Sequence, residues 1–114
     1  MIKETSDRIK KFVKDRERDK FHSPANLAKS ISIEANELLE CFQRDEEHYN
    51  LEDVKEELAD VIIYCYDLLN KLNLNDDDII NSKMDKNEKK YPVELARGNS
   101  KKYISIKNKN ILRR

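Results

Sequence analysis

Tryptophan is missing from this chain, glycine occurs once, proline and cysteine twice each, and neither sign of charge prevails. Lys plus Arg and Asp plus Glu both number 23, so the formal net charge is zero with histidine neutral. Whole-chain electrostatics therefore favour neither a nucleic-acid polymer nor an acidic membrane as partner. No apolar run approaches the length of a membrane span and the N-terminus carries no apolar signal-type stretch, so a cytoplasmic protein is expected. Cys41 and Cys65 have no CxxC spacing and no nearby histidine cluster, which argues against a zinc or redox motif. Both are expected to stay reduced and to pack as small hydrophobes.

What is present is charge and helical pattern. The 114 residues suffice for one domain with a modest core, and the composition is 38% hydrophobic against 40% charged. So polar a chain is either disordered or completed by oligomerisation unless its apolar residues are concentrated. They are concentrated in the middle. Lys101, Lys102, Lys107, Lys109, Arg113 and Arg114 form a basic tail, read either as a solvated terminus or as a contributor to phosphate or subunit binding.

Ile9, Phe12 and Val13 predict a weakly amphipathic helix from Thr5 to about Asp19. Ser23 followed by Pro24 suits an N-cap and a first helical residue, leaving His22 immediately outside the second helix. That helix is expected to reach about Arg44, with Leu27, Ile31, Ala35, Leu38 and Phe42 at helical spacing. The third, starting near Leu51, carries the clearest apolar periodicity, from Val54 through Leu72. After a turn over Asn73 to Asn75, Asp76, Asp77 and Asp78 place negative charge at the start of a fourth helix, which Pro92 should end near Tyr91. The remainder reads as loop or extended tail. The expected fold class is all-α, an antiparallel four-helix bundle completed by oligomerisation.

Each residue advances about 100° around a helix. Relative to Ile31, Glu34 falls at roughly −60° and Glu37 at roughly −120°; relative to Val54, Glu57 and Asp60 fall at the same two angles. Two consecutive helices thus carry the same layout, an apolar seam with a carboxylate pair along one margin. Antiparallel packing would let the pairs converge. Converging carboxylates repel and raise their own pKa values, and a hard cation with oxygen ligands, magnesium or manganese, removes the conflict. Periodicity alone leaves two readings open: a solvated acidic face, or a metal site meeting a polyphosphate. Tyr64, four residues after Asp60, points with the acids and could orient a phosphate or sugar oxygen, or be a half-buried helix tyrosine.

The pairs stand as Glu34-Ala35-Asn36-Glu37 within SIEANELLECFQ and Glu57-Leu58-Ala59-Asp60 within KEELADVIIYCYDL. With FHSPANLAKS before them and SKMDKNEKKYPVELARGNSKKY after, the chain resembles the MazG-like all-α nucleotide pyrophosphohydrolases over nearly its whole length. Within that family it is similar to the small stand-alone enzymes related to dCTP pyrophosphatase. The resemblance implies hydrolysis of a nucleoside triphosphate between the α and β phosphates, giving monophosphate and pyrophosphate. It implies that Glu34, Glu37, Glu57 and Asp60 hold magnesium, with Glu37 or Glu34 helping to activate water. It places His22, Lys83, Asn87, Lys90 and Tyr91 near the nucleotide, and implies a homodimer or homotetramer.

The domain so implied covers residues 1-92, with 93-114 as a basic tail. Arg16 and Asn26 also match the family pattern. Arg18 and Arg44 stand where the dCTP-preferring relatives carry tryptophan; they could stack on the base less selectively or pair with phosphate, so base preference is open. Phe21 and Phe42 read as core residues. The competing readings are a non-catalytic helical interaction module and a dUTP or phosphoribosyl-ATP pyrophosphohydrolase.

Overall fold

A computed structural model describes residues 1–97. The chain divides into two units, Met1–Asp76 and Asp77–Arg114. All regular structure among the described residues is helical: α1 (Lys3–Asp15), a 3-10 turn (Arg18–Phe21), α2 (Pro24–Glu40), α3 (Leu51–Lys71), α4 (Asp76–Lys90) and α5 (Val93–Ala96).

Helix α1 stops four residues earlier than its periodicity predicts, because Glu17 takes a left-handed conformation, φ 52°, and the chain tightens into the 3-10 turn. Arg16 closes the end of α1: its guanidinium lies 3.9 Å over the Phe12 ring and donates to the Phe12 carbonyl. Asn26 Nδ2 donates to the Phe21 carbonyl at 3.3 Å, tying the turn to α2. The entry to α2 is as expected. Pro24 opens the helix and Ser23 Oγ accepts the Asn26 backbone N–H at 3.1 Å, satisfying one of the orphan donors of the first turn.

The exit of α2 differs from expectation. The helix ends at Glu40, and the N–H groups of Cys41, Phe42 and Gln43 turn to carbonyls three residues back. Phe42 is therefore not on the helix. It is half-buried, with its ring 4.8 Å from that of Tyr49 in an edge-on pair that closes the α2–α3 connection. Within the connection, Asp45 accepts from the N–H groups of Glu47 and His48 and contacts the His48 ring at 2.8 Å. Asn50 then caps α3 by accepting the Asp53 N–H.

At its other end α3 closes with Asn73 at φ 55°, while Leu74 N–H reaches back to the Leu69 carbonyl and Asn73 N–H to that of Asn70. This is the Schellman arrangement, with asparagine in the left-handed position that glycine commonly fills. Beyond it, the Tyr66 hydroxyl donates to Asp76, the first residue of α4.

In the first unit α2 packs along α3, and α1 along α3. The electrostatic pairings run in opposite order on α2 and α3: Cys41 feels Asp53 and Glu57, while Glu34 feels Glu57 and Asp60. These two helices are therefore antiparallel. Leu27, 1% exposed, is the fully enclosed apolar side chain of this unit. Leu58, Ile62 and Ile63 of α3 remain exposed. Both cysteines are free and half-buried, Cys41 at the end of α2 and Cys65 within α3.

In the second unit α4 ends at Lys90, before Pro92, as its sequence predicts. The short helix Val93–Ala96 lies where loop or extended chain is expected; Pro92 starts it, its carbonyl accepting the Leu95 N–H at 2.9 Å. The rest of the basic tail, from residue 98 on, lies outside the described residues. Among the described residues no helix is long and apolar enough to cross a membrane.

Candidate functional site

The carboxylates of Glu34, Glu37 and Glu57 each offer an oxygen within 4.8 Å of the others. Residues three apart share a helix face, so Glu34 and Glu37 arrive together from α2, and the antiparallel α3 sets Glu57 against both. All three side chains are half-buried. Partial burial, contact with Glu37, and the charges of Glu37, Asp60 and Glu57 push the Glu34 carboxyl up to about 7. The Glu57 carboxyl is raised likewise, first by burial and then by Glu37, Asp60 and Glu56.

As carboxylates, Glu34 and Glu57 each keep an Oε2 enclosed with no hydrogen-bond donor. A buried anionic oxygen without a partner is strongly unfavourable. Two remedies exist: retain a proton, or bind a cation. The donor set is oxygen only, which fits a hard divalent ion. Asp60 stands apart from the trio in exposure. It is open to solvent and feeds the cluster through its charge on Glu34 and Glu57.

Asp60 also lines a cavity of about 750 Å³ walled by α1, the 3-10 turn and α3. Ile9, Phe12, Val13, Ile62 and Ile63 supply apolar walls, and Arg18, His22, Tyr64 and Asp67 supply polar groups. The apolar face of α1, visible in the sequence, thus faces a cavity. His22 is 7% exposed, and its Nε2 has no hydrogen-bond partner. Asp67, 8% exposed, had no place in the sequence reading. Its signal was available: one acid inside the apolar run VIIYCYDLL, seven residues after Asp60 and so on the same face.

The other expected residues are placed as follows. Arg18 lies in the 3-10 turn on the cavity wall, whereas Arg44 is exposed in the bend after α2 and is not part of that wall. Lys83, Asn87 and Lys90 lie on α4, with Asn87 and Lys90 half-buried, and Tyr91 follows directly, its N–H donating to the Asn87 carbonyl at 2.8 Å. Phe21 is not a core residue. It is 62% exposed because the 3-10 turn swings it outward, with Lys20 over its ring.

These helices and this acidic cluster have a family. Residues 29–106 match the MazG-like family model, and the chain belongs to the MazG-like family. Among individual proteins, it is 33% identical over 104 residues to dCTP pyrophosphatase 1 of Mus musculus, covering 83% of this chain and 61% of the mouse protein. The Homo sapiens protein of the same name is likewise 33% identical over 104 residues, with the same coverage of both chains. The chain therefore spans about three fifths of the length of these relatives. Among solved structures, a pyrophosphatase from Archaeoglobus fulgidus DSM 4304 superposes with a TM-score of 0.73 at 40% identity, covering 78% of this chain and 90% of that one.

Proposed function

We propose that this protein is a magnesium-dependent nucleoside triphosphate pyrophosphohydrolase that releases a nucleoside monophosphate and pyrophosphate. The observation that carries the reading is the trio Glu34, Glu37 and Glu57, with two enclosed oxygens lacking donors, in a chain similar to proteins named as pyrophosphatases. Glu34, Glu37 and Glu57, joined by Asp60 from the cavity margin, would hold the ion, with manganese as a substitute. Magnesium there would supply positive charge that neutralises the polyphosphate and polarises the attacked phosphorus.

The chain's own residues do the rest. Glu37 or Glu34 takes the proton of the attacking water as its oxygen bonds to the α phosphorus and the bond to the bridging oxygen breaks. Tyr64, next to Asp60 on the cavity wall, orients a phosphate or sugar oxygen. His22 and Arg18 border the space open to the nucleoside. By the family resemblance Lys83, Asn87 and Lys90 are the candidate phosphate partners, since lysine is an effective point-charge partner. The exposed Leu58 on α3, outside the cavity wall, favours completion of a four-helix bundle by a second copy, as a homodimer or homotetramer.

The test is a panel of canonical and modified nucleoside triphosphates, assayed for pyrophosphate release with magnesium and with chelator. Magnesium-dependent release from at least one nucleotide is expected. No release across the panel by folded protein would overturn the reading.

A further inference from the structure

The 3-10 turn that carries Arg18 to the cavity wall is not held by burial. Arg18, Asp19, Lys20 and Phe21 are all exposed, and the left-handed Glu17 before them breaks the run of α1. Polar links hold the turn instead. At its far end Asn26 of α2 donates to the Phe21 carbonyl. From α3, Lys71 Nζ donates to Asp19 Oδ1 at 3.2 Å, an ion pair between residues 52 apart in the chain. Asp19 also accepts the His22 N–H at 3.0 Å through its backbone carbonyl. One residue thus joins the end of α3 to the backbone of His22, and Arg18 is its neighbour in the chain.

The pair lies outside the cavity itself. Arg18, His22 and Asp67 line the space beside Asp60, whereas Asp19 and Lys71 are not part of its wall. They line a second, polar space of about 500 Å³, whose wall shares His22 and Asp67 with the first. Asp60, Tyr64, Asp67 and Lys71 follow one face of α3 at spacings of four, three and four. A turn clipped to Lys71 is therefore held against the face that leads to the acids. Resting on the pyrophosphohydrolase reading, we infer that Asp19 and Lys71 are positioning residues for the nucleotide: their ion pair holds the 3-10 turn where Arg18 and His22 face the nucleoside. An exposed ion pair adds little to global stability, but here it fixes a segment that burial does not. Losing it lowers the fraction of molecules with Arg18 and His22 in place, and apparent affinity falls by that fraction. Glu34, Glu37 and Glu57 on α2 and α3 keep their places, so the chemical step is spared.

The experiment measures KM, kcat and melting temperature in Lys71→Met, Asp19→Ala and the double variant, with the nucleoside triphosphate that wild type turns over fastest. Each single variant is expected to raise KM about two- to fivefold, the range an exposed pair supports, with kcat nearly unchanged. Melting temperature should stay close to that of wild type. The two substitutions change net charge in opposite directions, so a field acting directly on the polyphosphate would raise KM in one and lower it in the other. A rise in both identifies position. The double variant should match the single variants rather than multiply their effects, and Lys71→Arg, which keeps the pair, should retain the wild-type KM.

An unchanged KM in either single variant overturns the inference while leaving the hydrolase reading intact. So do KM shifts of opposite sign, multiplied effects in the double variant, or a variant that unfolds and so shows the pair to be structural. No turnover of any nucleotide in the panel by folded wild-type protein overturns both.

Discussion

Glu34 on α2 and Glu57 on α3 bring carboxylate oxygens within 4.8 Å of each other, and each leaves its Oε2 buried without a donor. Like charges so placed are tolerable only with a shared proton or a cation between them, and the competition between the two should be measurable.

The first prediction concerns pH. The Glu34 carboxyl rises from 4.5 to about 7 on folding, so the folded protein binds more protons than the unfolded chain between these values. Where the native state holds the extra proton, stability falls as pH rises. The metal-free protein should therefore melt at progressively lower temperature from pH 4.5 to 7, as far as this site is concerned. Magnesium should reverse the trend, raising the melting temperature more at pH 8 than at pH 5, because the ion needs the deprotonated ligands. At a hundred times its Kd it would contribute about 2.7 kcal/mol. Thermal scans with magnesium and with chelator check this; equal magnesium shifts at both pH values would remove Glu34 as a ligand.

Glu37 lies in contact with both Glu34 and Glu57. Glu37→Gln keeps the shape and removes one charge from the cluster. Turnover should drop at least about 100-fold, since even residues that merely support metal ligands account for tenfold to 100-fold effects. Melting temperature without metal should stay level or rise, as repulsion is relieved. Steady-state assays beside calorimetry separate the two effects, and a normal rate in the variant would exclude Glu37 from the site.

Ser23 accepts the Asn26 N–H at the start of α2, directly after His22. Ser23→Ala should destabilise the protein by about 1 kcal/mol, while Ser23→Asp, which caps as well, should not. Denaturant titration gives the difference. Parity of the alanine variant with wild type would mean the cap contributes nothing here.

Leu58 is exposed on α3, outside the cavity wall. If a second copy covers it, Leu58→Glu should shift the species seen by light scattering to lower mass. A wild-type protein that scatters as a monomer at all concentrations would dispose of the oligomer.

The helices were legible from sequence because their causes are local. Ser23 and Asn50 cap, Pro24 and Pro92 punctuate, and apolar residues recur at the helical period. The misjudged ends were those settled by backbone conformation and ring contacts: the left-handed Glu17 that closes α1, and the tightening at Cys41 that frees Phe42 to meet Tyr49. Exposure of Phe21 follows from the same 3-10 turn.

For the site, sequence alone determined that each of two helices carries a carboxylate pair beside an apolar seam, since angular position on a helix is arithmetic. Only the tertiary structure decided which acids meet. Packing α2 antiparallel on α3 brings Glu34, Glu37 and Glu57 together, while α1 and the 3-10 turn against α3 leave Asp60, His22 and Asp67 on the wall of one cavity. Distance between helices and burial depend on which faces pack, and no single helix encodes that.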